Sequence, residues 1–153
     1  MAANNPISLE FFPPKTEAGR EKLLAQTLPA LSVLAPEYCS VTYGAGGSTR
    51  NTTVGTVEAI QAAGQVVAPH LSFGADDEAA ILSLLQQYRD AGVDRLVALR
   101  GDLPSGMGGG GQLVHANELV AFIREHTVAL VKEAVLRETL RGGQVYYLHN
   151  EVK

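Results

Sequence analysis

Four strand-like segments recur along this chain about 30 residues apart, and this spacing constrains the fold more than any other feature. Residues 7–12, 38–43, 66–71 and 95–99 are short apolar runs rich in β-branched and aromatic side chains. Helical patterns separate them. A connection long enough to hold a helix lets successive strands run parallel, so the chain is predicted to be an α/β protein built from βα repeats.

The helical patterns fall between these strands. The clearest covers residues 76–91, where Ile81, Leu84, Leu85 and Tyr88 repeat on one face, with Asp76 as the predicted N-cap and Gly92 as the stop signal. A second pattern covers residues 17–34 and contains Pro29, which should kink or divide it. A third covers residues 52–63. Residues 117–140 carry a continuous apolar stripe and are predicted to form either one helix or two.

Polar residues alternate with apolar ones on the first two strands, and this alternation bears on the architecture. Ser8 and Glu10 share one face of the first strand, and Ser40 and Thr42 repeat it on the second. A sheet covered by helices on both sides needs two apolar faces, whereas barrel strands can carry polar groups at the inner mouth. Half of a (β/α)8 barrel is therefore favoured over an open flavodoxin-like or P-loop-like parallel sheet. A fifth strand is predicted at residues 144–149.

Composition excludes several functional classes. The 153 residues fit a single domain, covering residues 1–153. A net charge of −4 disfavours a general nucleic-acid partner. No apolar run approaches the roughly 20 residues of a membrane span. One cysteine and no recognisable signal peptide predict a cytoplasmic protein.

The most suggestive polar residues lie near the carboxyl ends of the first four strands. Glu10, Thr42, His70 and Arg100 are separated by 32, 28 and 30 residues. In parallel α/β folds the ligand site lies at this edge of the sheet. Glu10 sits among apolar neighbours and suits a general acid, although pairing with Arg100 or hydrogen bonding to Thr42 would explain it equally well.

Two other residues keep alternative readings. His70 is either a hydrogen-bonded structural residue or a ligand contact. The sequence has no second histidine at the spacing that a metal site would need. Asp102 either caps a turn or accepts a hydrogen bond from a bound ring. No metal site is therefore predicted.

Residues 7–126 resemble the amino-terminal half of the bacterial methylenetetrahydrofolate reductase barrel. Four ordered motifs carry the resemblance: LEFFPPK at 9–15, SVTYGAGGSTR at 40–50, APHL at 68–71 and LRGDLP at 99–104. The resemblance implies a flavin-dependent (β/α)8 barrel in which a hydride passes from a reduced nicotinamide to FAD and then to methylenetetrahydrofolate.

The same resemblance assigns roles to individual residues. Glu10 resembles the acid that activates the folate, and Asp102 resembles the carboxylate near the flavin ring and the pterin. The residues that resemble flavin contacts are Thr42, His70, Arg100, Gly101, Asp102, His115 and Ala116.

Residues 129–152 resemble a different protein, a helix-and-strand piece of the second motor domain of the transcription-repair coupling factor, through the run RGGQVYY at 141–147. The interpretation is an engineered chimera in one α/β domain, with a reductase-like half-barrel at 7–126 and a helicase-like helix and strand appended at 127–153.

A half-barrel lacks the later loops of a barrel site. The chimera is therefore expected to be catalytically inactive, to purify without FAD and to bind flavin or folate only weakly. Residual FAD or folate binding, or reductase activity, is the alternative. An open sheet edge also predicts a homodimer.

Overall fold

The computed structural model describes residues 6–43, 50–72, 77–100 and 115–126, together with the backbone of residues 133–137 and 145–149. The strands are β1 (Ser8–Phe11), β2 (Tyr38–Val41), β3 (Val67–Ser72), β4 (Arg95–Leu99), β5 (Glu133–Arg137) and β6 (Val145–His149). The α-helices are α1 (Glu17–Lys22), α2 (Leu28–Ser32), α3 (Arg50–Ala62), α4 (Glu78–Asp90) and α5 (Ala116–His126). The first four strands and the helices between them confirm the predicted α/β repeats.

The strands are hydrogen-bonded in the order β1-β2-β3-β4-β5-β6, and the first five are mutually parallel. Sequential order is the order of a barrel wall, whereas a flavodoxin-like sheet places β1 inside, in the order 2-1-3-4-5. The sheet is therefore part of a (β/α)-barrel, and the open-sheet alternative is wrong.

The described helices pack on one face of this sheet. Phe11, Val41, Leu71 and Ala98 from the strands belong to the main core. The helices contribute Leu23, Leu28, Val54, Val57, Ile60, Ile81, Leu84, Leu85, Tyr88, Leu119, Val120, Phe122 and Ile123 to it. A doubly wound sheet would carry helices on both faces, so this one-sided packing also indicates a barrel wall.

The opposite face carries a smaller cluster. Ala68 and Val97 are buried there, with Tyr38 and Leu99 packed against them. The Arg95 guanidinium lies 5.9 Å from the centre of the Tyr38 ring, within cation–π range. We call this surface the inner face of the sheet. It holds the polar residues whose alternation the sequence displays.

Pro29 divides the first helical segment as predicted. A π-helical turn, Leu23–Thr27, separates α1 from α2, and Pro29 lies in the first turn of α2. The proline ring would clash with the carbonyl of Ala25, four residues earlier, and it offers that carbonyl no N–H. The wider π turn is the local adjustment that accommodates this conflict.

The limits of α4 differ slightly from the prediction. Asp77, rather than Asp76, is the N-cap, and its carboxylate accepts a hydrogen bond of 2.7 Å from the Ala80 N–H. Gly92 follows the helix with a φ of +78°, which confirms it as the stop signal.

The carboxyl-terminal segment differs most. A helix was predicted to extend through residue 140, but α5 ends at His126 and residues 133–137 form β5 beside β4. The free edge of β4 presents unpaired backbone groups, and pairing them outweighs the helix propensity of the sequence Glu-Ala-Val-Leu-Arg. The prediction of an appended helix in this segment is therefore wrong.

The strand predicted at 144–149 is present as β6, antiparallel to β5. The seven residues between Arg137 and Val145 are too few for a parallel crossover, which needs a dozen or more. None of the described helices is long and apolar enough to cross a membrane.

Candidate functional site

Glu10, Ser40 and His70 share the inner face near the carboxyl ends of β1, β2 and β3. Glu10 is aligned with Ser40 across β1 and β2, and Ser40 is aligned with Ala68 across β2 and β3. His70 lies two residues beyond Ala68 and therefore on the same face. Of the predicted strand-end residues, the structure thus brings Glu10 and His70 together; Ser40 was not among the predicted site residues.

The Glu10 carboxylate contacts the His70 imidazole, with 3.3 Å between Oε2 and Nε2. The His70 side chain is 6% exposed, whereas that of Glu10 is 38% exposed. The sequence had offered Arg100 or Thr42 as partners for Glu10, and neither possibility included His70. The contact leaves the carboxylate open to solvent, and hence to a ligand, while the imidazole is enclosed.

The end of β2 is held by two hydrogen bonds to the Thr42 backbone. The Thr42 N–H donates to the Phe11 carbonyl at 2.9 Å. By the same register, the Thr42 carbonyl faces residue 13, a proline without an N–H. The buried Thr53 hydroxyl of α3 takes that place and donates to the Thr42 carbonyl at 3.0 Å.

Thr53 is a supporting residue that the sequence analysis did not single out. A threonine in the first turn of the helix after a strand was a weak signal on its own. Combined with a proline opposite the strand end, it would have marked a carbonyl in need of a side-chain donor.

Three other predicted site residues lie within the described part of the chain. Arg100 is exposed directly after β4. His115 precedes α5, and its N–H donates to the Glu118 carboxylate at 2.9 Å in the manner of a capping box. Ala116 is buried in the main core. Gly101 and Asp102 lie outside the described residues.

Burial changes the acidity of two groups on the helix side of the sheet. Burial raises the pKa of the Cys39 thiol and disfavours its reactive thiolate. Burial also raises the pKa of Tyr88 strongly, Tyr43 and Glu58 add to this effect, and Arg50 opposes it. Both groups therefore remain neutral near pH 7, and neither lies on the inner face.

The strand-end donors have the chemistry to hold a flavin. Thr42, His70 and Arg100 supply a hydroxyl, an imidazole and a guanidinium at neighbouring strand ends, and flavin rings and phosphates offer matching acceptors. Within residues 6–43, 50–72, 77–100 and 115–126, no group of three or more histidine, cysteine or acidic side chains is placed to hold a metal ion.

Comparison with known proteins identifies the family. The sequence model described as methylenetetrahydrofolate reductase matches residues 2–135. The 5,10-methylenetetrahydrofolate reductase of Pectobacterium carotovorum is 37% identical over 120 residues, or 78% of this chain and 39% of the relative. That of Escherichia coli K12 is 36% identical over 120 residues, with 78% of this chain and 40% of the relative covered. Methylenetetrahydrofolate reductase 2 of Schizosaccharomyces pombe is 32% identical over 123 residues, or 77% of this chain and 19% of the relative.

These similarities correct the chimera interpretation. The family match covers residues 2–135, so it extends past residue 127, where a junction was predicted, and into β5. The coupling-factor resemblance of residues 129–152 is supported by neither the family model nor these relatives. The prediction of an engineered, inactive chimera is therefore wrong. The chain spans about two fifths of the length of the bacterial relatives that it matches. By the extent of the family match, it belongs to the methylenetetrahydrofolate reductase family.

Proposed function

We propose that this chain supplies the amino-terminal part of a flavin-dependent 5,10-methylenetetrahydrofolate reductase, with Glu10 as the acid that protonates the folate. The observation that carries the proposal is the Glu10–His70 contact at the carboxyl ends of barrel strands. An exposed carboxylate supported by an enclosed imidazole is suited to repeated proton transfer to a ligand. The names of the bacterial relatives supply the substrate.

The residues have distinct roles in this proposal. FAD, when bound, carries a hydride to the folate. Thr42, His70 and Arg100 hold the flavin at the ends of β2, β3 and β4, and Gly101, Asp102, His115 and Ala116 extend this contact set by family resemblance. Glu10 transfers its proton to a folate nitrogen, so that its O–H bond breaks as the new N–H bond forms. The folate methylene carbon thereby becomes a better hydride acceptor.

Flavin binding tests the first half of the proposal. We expect added FAD to lose fluorescence as the purified chain is titrated into it. Thr42→Val removes the hydroxyl and should weaken binding about tenfold, which corresponds to roughly 1.4 kcal/mol. Thr52→Val, in the exposed first turn of α3, is the matched control and should bind like the unaltered chain. Equal binding by Thr42→Val would remove Thr42 from the flavin site.

Reductase turnover tests the second half. With FAD, a reduced nicotinamide and methylenetetrahydrofolate, Glu10→Gln should lower turnover by about 10²–10⁴-fold while FAD binding is retained. Glu17→Gln removes an exposed carboxylate from α1 and should leave turnover unchanged. Measurable turnover that persists in Glu10→Gln would refute the role of Glu10 as the acid.

A further inference from the structure

The Glu10–His70 contact bridges two strands that are not neighbours. Glu10 lies on β1 and His70 on β3, with β2 between them. Adjacent strands lie about 4.8 Å apart, so the two backbones are separated by roughly 10 Å along the sheet. The side chains therefore meet above β2, on the inner face.

The residues beneath this bridge are small. Ser40 is aligned with both Glu10 and Ala68, and it is 4% exposed. Its hydroxyl is turned toward the Leu9 carbonyl, at a long distance of 3.4 Å, and so toward the backbone of β1. A branched or longer side chain at position 40 would occupy the space that the Glu10 and His70 side chains cross.

We propose that Ser40 and His70 are positioning residues for Glu10: the small Ser40 side chain lets the carboxylate reach His70 across β2, and the imidazole then holds it. The catalytic meaning of this arrangement rests on the proposed function. The contact itself does not.

Burial decides which partner holds the other. All six residues of β3 are buried, so the His70 ring is fixed by its surroundings. A glutamate side chain has several rotatable bonds and loses rotamer freedom when it is held, and Glu10 is the more exposed member of the pair. His70 is therefore the anchor that restricts Glu10 to one orientation.

The proposal also places a proton. In the structure His70 Nε2 lies 3.3 Å from Glu10 Oε2 without meeting hydrogen-bond geometry. Because an ionised carboxylate only accepts hydrogen bonds, the proposal places the ring hydrogen on Nε2, facing Oε2. The second carboxyl oxygen remains for the substrate. When that oxygen transfers its proton to a folate nitrogen, the Nε2–H group stabilises the carboxylate left behind. No electrons are exchanged in this step.

Nuclear magnetic resonance of the full chain labelled with ¹⁵N tests the inference without flavin or folate. The chain has four histidines, and His70→Gln identifies the ring signals of His70 by their disappearance. We expect Nε2 to have the chemical shift of a protonated ring nitrogen. Glu10→Gln should move this signal, whereas Glu17→Gln in α1 should leave it in place.

Position 40 is tested in the same spectra. Ser40→Leu should displace the His70 signal in the same direction as Glu10→Gln, and Ser40→Ala, which stays small, should keep it at its native position. Ser40→Val fills the same space with a strand-forming residue and replaces Ser40→Leu if that variant does not fold.

The outcomes separate the two proposals. An unprotonated Nε2, a His70 signal unmoved by Glu10→Gln, or native spectra for both Ser40→Leu and Ser40→Val would overturn the positioning roles. A chain that shows every expected ring shift but binds no FAD would refute the proposed function and leave the positioning inference supported.

Discussion

Replacing Thr53 with valine tests whether α3 holds the end of β2. Thr53 is fully buried, and its hydroxyl donates to the Thr42 carbonyl at 3.0 Å. Valine has nearly the same shape but no hydroxyl, and Pro13 on the other side has no N–H to replace it. The substitution therefore leaves a carbonyl without its donor.

The magnitude follows from that loss. A buried polar group that loses its partner costs about 1–3 kcal/mol, so we expect Thr53→Val to lower the free energy of unfolding by about 1.5 kcal/mol. For a chain of this length, 1 kcal/mol shifts Tm by roughly 2–4 °C, which gives a fall of about 3–6 °C. Thermal and urea unfolding followed by circular dichroism would measure it.

Thr56→Val is the matched control. Thr56 lies one turn further along α3, is also buried, and donates to the Thr52 carbonyl within the same helix at 2.7 Å. That carbonyl keeps its helical backbone partner, so the loss should stay within about 0.5 kcal/mol. Equal losses at positions 53 and 56, or none at position 53, would refute the idea that the Thr53 hydroxyl is the necessary donor at the end of β2.

Three further predictions concern stability and assembly. Tyr88 is buried and its pKa is raised, so the folded protein holds the phenolic proton more tightly than the unfolded chain does. The free energy of unfolding should therefore fall as the pH rises above about 10. In urea unfolding between about pH 9 and pH 11, Tyr88→Phe should lose less stability than the unaltered chain. Asp77→Ala removes the N-cap of α4 and should lower the free energy of unfolding by about 1 kcal/mol, whereas Asp77→Ser keeps a capping oxygen and should lower it much less. Equal decreases in Tm for the two variants would argue against capping. The outer edge of β1 has no strand neighbour among the described strands, so we expect a homodimer in sedimentation experiments, and a monomer at high concentration would contradict this expectation.

The error about the carboxyl-terminal segment shows how local similarity misleads. Residues 129–152 were interpreted through a short distinctive run and a helical stripe. Both are properties of neighbouring residues, whereas the pairing of β5 with β4 depends on a strand more than 30 residues earlier. A family match that continues through residue 135 was the stronger signal, because it extends over the whole repeat pattern.

The sequence by itself determined the elements whose signals are local. Strand periodicity placed β1 to β4, the apolar spacing of Ile81, Leu84, Leu85 and Tyr88 placed α4, and Pro29 divided the first helix. The polar alternation on the first two strands predicted the inner face. These features depend on residues close together in the chain, so the amino-acid sequence alone is enough to predict them.

Only the tertiary structure decided the contacts between distant segments. Glu10 and His70 are 60 residues apart in the sequence, and their contact depends on the register of three strands and on the size of Ser40. The strand at 133–137 formed because an open sheet edge was available to pair with it. Register and edge pairing are set by the assembled sheet, so no local pattern specified either one.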